Sequence, residues 1–454
     1  MQTSPRTPIT VWLSWLAVLL IAAGLPVLGV LLPKWRSSTP KDVRVGPDVQ
    51  NLISLRNAIG AREVLPHATP TTRASSTTQP NDPMTHSVLE QFEKGTDTSE
   101  SKRLQFAIAT AELVSGNEAL PLLKTIDSPV LKPDRDTLAA IYTFGPDAVD
   151  AASKRALVDR WNYLGEVATT YGKTTQDPGR ARVVAAGRRT LITVFGALGV
   201  VGLAGCAGFV LLIVGVVLLS LGKLHTRYAR DPSVGPAYLE SFAIYLVSYL
   251  GISILMGLAG LHGMAWSWLL APLIVAVACW PALARREPWP LLRQGLGWHT
   301  GRGLLIEVPL GVVGYVAGLP VVLLGLIAML VLNKFAAASP SHPIVQDVLN
   351  GPWTHVAGLY ALACVFAPIA EETMFRGALQ HHLRRRWNWI ASGGLTSLIF
   401  AAIHPQGWTA IPVLGAIGLV LSGIREWRGT IVASMTAHAL SNAFVTTLLV
   451  LAAR

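Results

Sequence analysis

Charged residues are scarce in this sequence. Only 14% of its 454 residues are Asp, Glu, Lys or Arg, whereas 51% are hydrophobic, and the mean hydropathy is +0.46. An average soluble domain has about 25% charged residues. A water-soluble enzyme of this length needs more polar surface than this composition supplies, so the sequence excludes that class of protein.

The few charges are also unevenly distributed. Of the 63 charged side chains, 39 fall between Lys34 and Arg189, and 21 of those are basic and 18 acidic. The net charge of +11 therefore comes mainly from short loops between apolar runs, where basic residues act as topology signals. We expect the lipid bilayer as a partner and no nucleic acid.

Cysteines and several hydrolase motifs are rare or missing. Cys206, Cys279 and Cys364 all lie in apolar runs, where cysteine behaves as a small buried hydrophobe. The sequence has no His-Glu-x-x-His and no Gly-x-Ser-x-Gly motif, which argues against zincin-type and serine hydrolase chemistry. The only aspartates after residue 189, Asp231 and Asp347, fall in predicted loops, which argues against an aspartyl protease.

The apolar runs predict an all-α, polytopic helical membrane protein with about eight core spans, an N-terminal anchor and a small helical extramembrane domain. The predicted parts are an uncleaved anchor at 1–33, a polar extramembrane region at 34–189, an additional span with a basic loop at 190–234, and the main membrane domain at 235–454. Within the polar region, residues 66–87 are rich in Thr, Ser and Pro and are predicted to be disordered. Residues 88–175 are predicted to be helical.

The core spans are expected near residues 190–222, 237–260, 263–283, 303–332, 354–380, 390–404, 409–424 and 429–452. The first run is overlong and rich in glycine, which leaves a helical hairpin open as an alternative. Basic loops alternate with loops of low charge along the chain. This alternation predicts that the basic loops face the cytoplasm and that residues 34–189 lie outside it.

Ionisable side chains occur inside these spans, although each costs about 2.5–3.5 kcal/mol on insertion scales. They are Glu307, then Glu371, Glu372 and Arg376 in the 354–380 span, His404 in the next, and His438 with Asn442 in the last. From the helical rise, Glu371 and His438 lie about 15 Å below the cytoplasmic turns, and His404 and Asn442 about 21–22 Å. Three spans thus bring polar groups to one layer of the membrane, which predicts a site there.

The spacing of the two adjacent glutamates assigns them different roles. Glu372 and Arg376 are four residues apart with the acid first, the better order for an ion pair on a helix. Glu371 is rotated by about 100° from Glu372. We therefore expect Glu372 and Arg376 to organise the site and Glu371 to remain without a permanent partner. Glu307 is expected to be solvated or paired.

This set of groups favours hydrolysis of an amide bond by water. A poorly solvated carboxylate such as Glu371 is suited to act as a general base, and His404 nearby can share the activated water. His438 and Asn442, one helical turn apart, are suited to stabilise an oxyanion. We predict no cofactor. A zinc site built from Glu371, His404 and His438 remains open as the alternative.

Three short motifs carry a family resemblance. Glu371-Glu372-x-x-x-Arg376, Phe400-x-x-x-His404 and His438-x-x-x-Asn442 follow one another on separate spans. Together they resemble the motifs of the CAAX-protease and bacteriocin-processing (CPBP) intramembrane proteases, also called the Abi family, over roughly residues 235–452. The stretch EETMFRG is similar to the bacterial form of the first motif, which implies a plasma membrane of bacterial type.

The resemblance implies an intramembrane endopeptidase whose active site opens toward the cytoplasm and whose substrate is a peptide or a lipidated protein. Glu371 and His404 would activate water, and His438 and Asn442 would stabilise the oxyanion. Glu372, Arg376 and Phe400 would organise the site. The family has been argued to be either metal-dependent or glutamate-dependent, and the spacing here favours the second. Residues 1–189 lie outside the resemblance.

A different class of function uses the same buried groups. A proton-coupled transporter needs ionisable residues inside its spans, and a membrane scaffold or immunity protein needs no chemistry at all. A transporter would lose substrate-dependent proton flux when Glu371 is replaced by Gln, whereas a scaffold would be unaffected by that replacement.

Overall fold

A computed structural model of the chain describes residues 9–31, 49–64, 82–94, 96, 99–228, 236–259, 273, 276–335, 352–404 and 406–453. These residues form seventeen α-helices without a strand, which confirms the predicted all-α membrane fold. The chain divides into two compact units. We call Met1–Pro33 with Gly199–Thr447 the membrane unit, and Lys34–Leu198 with Leu448–Arg454 the polar unit.

The polar unit is built from short helices around a small apolar core. They are α2 (Val49–Val64), α3 (Pro83–Glu93), α4 (Glu100–Leu113), α5 (Gly116–Leu123), α6 (Lys132–Phe144), α7 (Ala151–Trp161) and α8 (Tyr163–Thr169). Leu104, Ile108 and Trp161 are completely buried at its centre. The indole of Trp161 donates a hydrogen bond of 2.9 Å to Asp134, so the largest core side chain also has its polar atom satisfied.

The prediction of disorder over residues 66–87 is wrong for its last part. Helix α3 begins at Pro83, and residues 65–81 lie outside the described residues. The carboxylate of Asp82 accepts hydrogen bonds from the backbone nitrogens of Met84 and Thr85. An Asp at the cap followed by Pro in the first turn is a strong start signal for a helix, and here it outweighs the polar composition.

Two glycines allow α2 to approach α9 (Pro178–Ser220). A Cβ atom added at Gly187 would lie 2.8 Å from the carbonyl oxygen of Arg56 and 2.9 Å from the backbone nitrogen of Gly60. Such distances are too short for real carbon atoms, and both obstacles are backbone atoms. The contact therefore requires glycine at position 187.

Replacing Gly187 with Ala is expected to destabilise the polar unit by about 1–3 kcal/mol, the usual cost of overpacking. In a free helix the same change stabilises by about 1 kcal/mol. Gly196→Ala is the matched control, because a Cβ there meets no described atom within 4 Å. Hydrogen exchange in peptides from α2 measures the difference. Equal protection in the two variants would contradict the contact.

The membrane unit contains α1 (Ile9–Leu31), the later part of α9, α10 (Ala237–Leu258), α11 (Trp280–Arg285), α12 (Trp289–Leu296), α13 (Leu304–Asn333), α14 (Trp353–Arg384), α15 (Trp389–Ala402), α16 (Ile411–Arg428) and α17 (Val432–Ala453). Seven helices of the described chain are long and apolar enough to cross a membrane, and α15 is shorter. Most of the predicted span at 263–283 lies outside the described residues.

Helix α9 covers nearly all of residues 190–222, where a helical hairpin was the alternative. It runs without interruption from Pro178 to Ser220, so the hairpin alternative is wrong. At 1.5 Å per residue a helix of 43 residues is about 65 Å long, roughly twice the hydrocarbon thickness of a bilayer.

Helix α14 is held against α16 by a row of polar contacts. Three of its side chains, spaced one turn apart, donate hydrogen bonds to acceptors on α16 that are also one turn apart. Arg376 donates to the carbonyl oxygen of Gly418 at 3.0 Å, and Gln380 donates to that of Ser422 at 3.3 Å. Arg384 donates to the carboxylate of Glu426 at 2.7 Å. The numbering rises together on both helices, so the two run parallel. These bonds fix the rotation of α14 about its own axis.

The core of the membrane unit surrounds the middle of α14. Val18 of α1, Phe242 of α10, Phe375 of α14 and Phe400 of α15 are all buried in one apolar cluster. The rings of Phe242 and Phe375 meet edge to face with centroids 5.0 Å apart, and those of Phe375 and Phe400 at 5.1 Å. Aromatic contacts of this geometry add to the packing energy, and they place α10 and α15 next to the residues described below.

Candidate active site

Two stretches of widened helix flank Glu371 on α14. Residues Leu362–Phe366 and Glu372–Leu379 are π-helical, and Glu371 ends the short α-helical segment between them. Pro368 lies in that segment. Proline has no N–H and clashes with the carbonyl four residues earlier, which accounts for the first widened turn. Turns of this kind occur often at functional sites.

Glu371 lies between two imidazoles that come from other helices. Its Oε2 is 3.8 Å from Nε2 of His404, which follows α15, and 3.8 Å from Nε2 of His438 on α17. Oε2 is buried and has no hydrogen-bond partner among the described residues. The Glu371 side chain is 22% exposed, that of His404 18% and that of His438 5%. An oxygen atom that makes no hydrogen bond to the described residues therefore lies between two imidazole nitrogens.

The other ring nitrogen of each histidine is engaged, and its partner sets the tautomer. Nδ1 of His404 lies 2.5 Å from the carbonyl oxygen of Phe400, and Nδ1 of His438 lies 3.0 Å from the carboxylate of Glu372. Both partners accept hydrogen bonds, so we assign the proton of each neutral ring to Nδ1. Each Nε2 then presents a lone pair toward Glu371.

Glu372 and Arg376 form the predicted ion pair. Arg376 donates to the Glu372 carboxylate at 2.9 Å, and both side chains are completely buried. The guanidinium also lies 4.8 Å from the centroid of the Phe400 ring, a cation–π contact. Phe400 in turn packs against His404 with ring centroids 4.3 Å apart. The two histidines are thus held in place by contacts with Glu372 and Phe400, and Arg376 contacts both of these residues.

Asn442 makes a hydrogen bond that its spacing did not predict. Its side-chain amide donates a hydrogen bond of 2.7 Å to the carbonyl oxygen of Ala363. Ala363 lies in the first widened turn of α14, two turns before Glu371. The structure therefore brings Glu371, His404 and His438 together, and gives Asn442 a contact that ties α17 to α14.

Two further ionisable groups of the spans are paired. Glu307 is buried and accepts two hydrogen bonds of 2.8 Å from Arg428, as expected for a carboxylate at the start of a span. Arg384, at the end of α14, is also buried and bonded to Glu426.

Sequence reasoning missed the contacts of Gln380, Glu426 and Gly418. A signal was present, because Glu372, Arg376, Gln380 and Arg384 are spaced by four residues and form one polar stripe on α14. A Cβ at Gly418 would meet Ser397 on α15 at 2.9 Å. Glycine is therefore needed there for close packing, and Gly418 supplies the backbone oxygen that Arg376 binds.

The residues of the alternative zinc site are close together but do not form a three-ligand cluster as placed. Among the described residues, no group of three His, Cys, Asp or Glu side chains is arranged to hold a metal ion. The two Nε2 atoms and the Glu371 carboxylate are the donors that zinc prefers. Each Nε2 lies 3.8 Å from the Oε2 atom of Glu371. The absence of a cofactor stays a prediction.

The described residues define a multi-pass helical membrane protein that holds a carboxylate between two imidazoles inside its spans, with one carboxylate oxygen free of hydrogen bonds to those residues. Residues 353–444, which contain all three motifs, match the family model described as Type II CAAX prenyl endopeptidase Rce1-like. The family predicted from the motifs is thereby confirmed for this part of the chain.

A curated relative shows similarity over a shorter stretch. The chain is 40% identical over 72 residues to a protein of Bacillus subtilis (strain 168) described as "Uncharacterized protein YpbD". The aligned residues make up 15% of this chain and 34% of that protein, so the chain covers about a third of the relative's length. No solved structure matches the chain.

Proposed function

We propose that this protein is an intramembrane endopeptidase that hydrolyses a peptide bond of a membrane-associated peptide or lipidated protein. The observation that carries the proposal is the meeting of three acceptor atoms, the Glu371 Oε2 and the Nε2 atoms of His404 and His438, at distances of 3.8 Å. Acceptors do not bond to one another. A water molecule supplies the two O–H donors that such a group of acceptors requires.

The proposed hydrolysis passes one proton from the water to Glu371 and then to the leaving nitrogen. Glu371 accepts one proton of the water, and the resulting hydroxide forms a bond to the carbonyl carbon of the scissile peptide. His404 accepts a hydrogen bond from the second O–H and orients the nucleophile. When the C–N bond breaks, the leaving nitrogen takes the proton from Glu371. The carboxylate is then restored, and one water molecule has been consumed for each peptide bond broken.

A buried ion pair fixes the orientation of the His438 ring. Glu372 holds its Nδ1 and is held in turn by Arg376. His438 donates to a developing oxyanion from Nε2 only as an imidazolium, because the proton of the neutral ring is on Nδ1. Asn442 was predicted to share this role, and its bond to Ala363 leaves one amide N–H for it.

The family match supports the class of substrate and the membrane location. Residues 353–444 resemble enzymes described as CAAX prenyl endopeptidases, and the site lies between helices that are long enough to cross a bilayer. We infer a substrate that reaches the site from the membrane. We also propose that the site opens toward the cytoplasm, that the membrane is a bacterial-type plasma membrane, and that residues 34–189 lie outside the cytoplasm.

A search for new peptide termini tests the proposal. The purified full chain and its Glu371→Gln variant are reconstituted in liposomes with a membrane-protein extract, and new N-termini are labelled and identified by mass spectrometry. We expect a set of termini that appears with the wild type and is absent with the variant. Identical termini in both samples would overturn the proposal. Substrate-dependent proton flux without cleavage would favour a transporter.

The same preparation addresses the metal. We propose that water is activated by Glu371 without a resident ion. Elemental analysis of the purified wild type is expected to find less than stoichiometric zinc, with cleavage unchanged by a chelator. One equivalent of zinc that is lost together with activity, and that restores activity when added back, would instead favour the alternative ligand set of Glu371, His404 and His438.

A further inference from the structure

An aromatic face of α10 lies next to the helix that carries Glu371. Tyr238, Phe242, Tyr245 and Tyr249 recur at intervals of four, three and four residues, which places them on one face of a helix. This face packs against the widened segment of α14 that follows Glu371, and Phe242 meets Phe375 there. The ring of Tyr238 meets that of His381 with centroids 4.8 Å apart. The residue numbers thus rise along α10 as they fall along α14, which places Tyr245 near the level of Glu371.

Two tyrosines continue this face beyond Phe242. Tyr245 lies about one turn and Tyr249 about two turns further along α10. Their rings are tilted by 32° with centroids 6.2 Å apart. They differ in burial, because Tyr245 is 7% exposed and Tyr249 is 44% exposed. A buried phenol is a donor in a poorly hydrated place, where a hydrogen bond to a developing charge is strongest.

The proposed reaction has few donors for its oxyanion. A tetrahedral intermediate needs N–H or O–H groups aimed at that oxygen. His438 has an Nε2 proton only when the ring is charged, since its Nδ1 proton is held by Glu372. One N–H of the Asn442 amide is bonded to Ala363, which leaves one N–H for this role. A phenol O–H at neutral pH carries its proton whatever the state of the histidines.

We propose that Tyr245 binds the carbonyl oxygen of the scissile peptide through its hydroxyl and stabilises the oxyanion that forms there. The inference rests on the proposed function and adds a residue outside the three motifs. Tyr245 keeps its proton throughout, so no bond to hydrogen is broken and the balance of the hydrolysis is unchanged. The substrate carbonyl lies between α10 on one side and the histidines of α15 and α17 on the other.

The matched pair Tyr245→Phe and Tyr249→Phe tests this role. Each change removes one hydroxyl from the same face of α10. Cleavage kinetics are measured in liposomes with a fluorogenic peptide built on a cleavage site identified with the wild type. We expect Tyr245→Phe to lower kcat about 10²- to 10³-fold, the usual cost of one oxyanion donor, with KM changed less than about threefold. Tyr249→Phe is expected to retain kcat within about threefold.

The outcomes separate this inference from the proposed function. If the wild type shows no cleavage that depends on Glu371, both are overturned. If cleavage depends on Glu371 and Tyr245→Phe retains full kcat, only the role of Tyr245 is overturned. An equal loss in the two variants, or a loss of Tyr245→Phe activity that appears in KM alone, would also overturn it. Thermal unfolding of each variant establishes that the compared proteins are folded.

Discussion

Glu371→Gln and His404→Ala are each expected to lower kcat by about 10³-fold or more. The first removes the base that takes the proton of the water, and the second removes the group that orients the same water. Because both act on one molecule, their effects are expected not to add. The double variant should therefore lose little more activity than the worse single variant. Single-turnover cleavage of the identified peptide measures all three.

The stability of Glu371→Gln distinguishes a catalytic from a structural carboxylate. Glu371 has a buried oxygen without a partner, so the neutral amide should leave the thermal midpoint unchanged or raise it. Glu90→Gln is a suitable control for the substitution itself, because Glu90 lies in an exposed ion pair of the polar unit. An inactive variant that also unfolds at a much lower temperature would argue against the assignment of Glu371 as the base.

Arg376→Met is expected to cost about 3–5 kcal/mol of unfolding free energy, the usual result of breaking a buried ion pair from one side. The substitution leaves the completely buried carboxylate of Glu372 without its cation. It also leaves the carbonyl oxygen of Gly418 without a donor from α14. Unfolding in mixed micelles of increasing denaturing detergent measures the loss.

Two further variants make that prediction specific. Adding Glu372→Gln to Arg376→Met removes the uncompensated charge and is expected to recover part of the lost stability. Arg293→Met is the control, because Arg293 is exposed on α12, and a surface change of this kind is worth about 0.5 kcal/mol. If the double variant is less stable than Arg376→Met, the ion pair does not account for the cost.

Much of the site follows from local spacing. The pairing of Glu372 with Arg376 depends only on two positions one helical turn apart, and the structure contains that pair. The separate direction of Glu371 follows from the same helical period, and its Oε2 is indeed unpartnered. The high cost of a charge in a membrane explains why so few ionisable side chains lie in the spans.

Contacts between distant parts of the chain did not follow from spacing. Asn442 lies one turn from His438 in sequence, yet its amide bonds to the carbonyl oxygen of Ala363 in the first widened turn of α14. The packing of α10 on α14 is likewise decided by an aromatic contact, between Phe242 and Phe375, across more than one hundred residues of sequence.

The sequence by itself determined the membrane class, the family over residues 353–444 and the two separate roles of the adjacent glutamates. Each of these depends on composition, on short motifs or on the period of one helix. Only the tertiary structure decided that Asn442 binds α14, that Arg384 is buried, and that the aromatic face of α10 packs on α14. These depend on the depth and rotation of whole helices, which are fixed by packing and by long-range hydrogen bonds that no local pattern encodes.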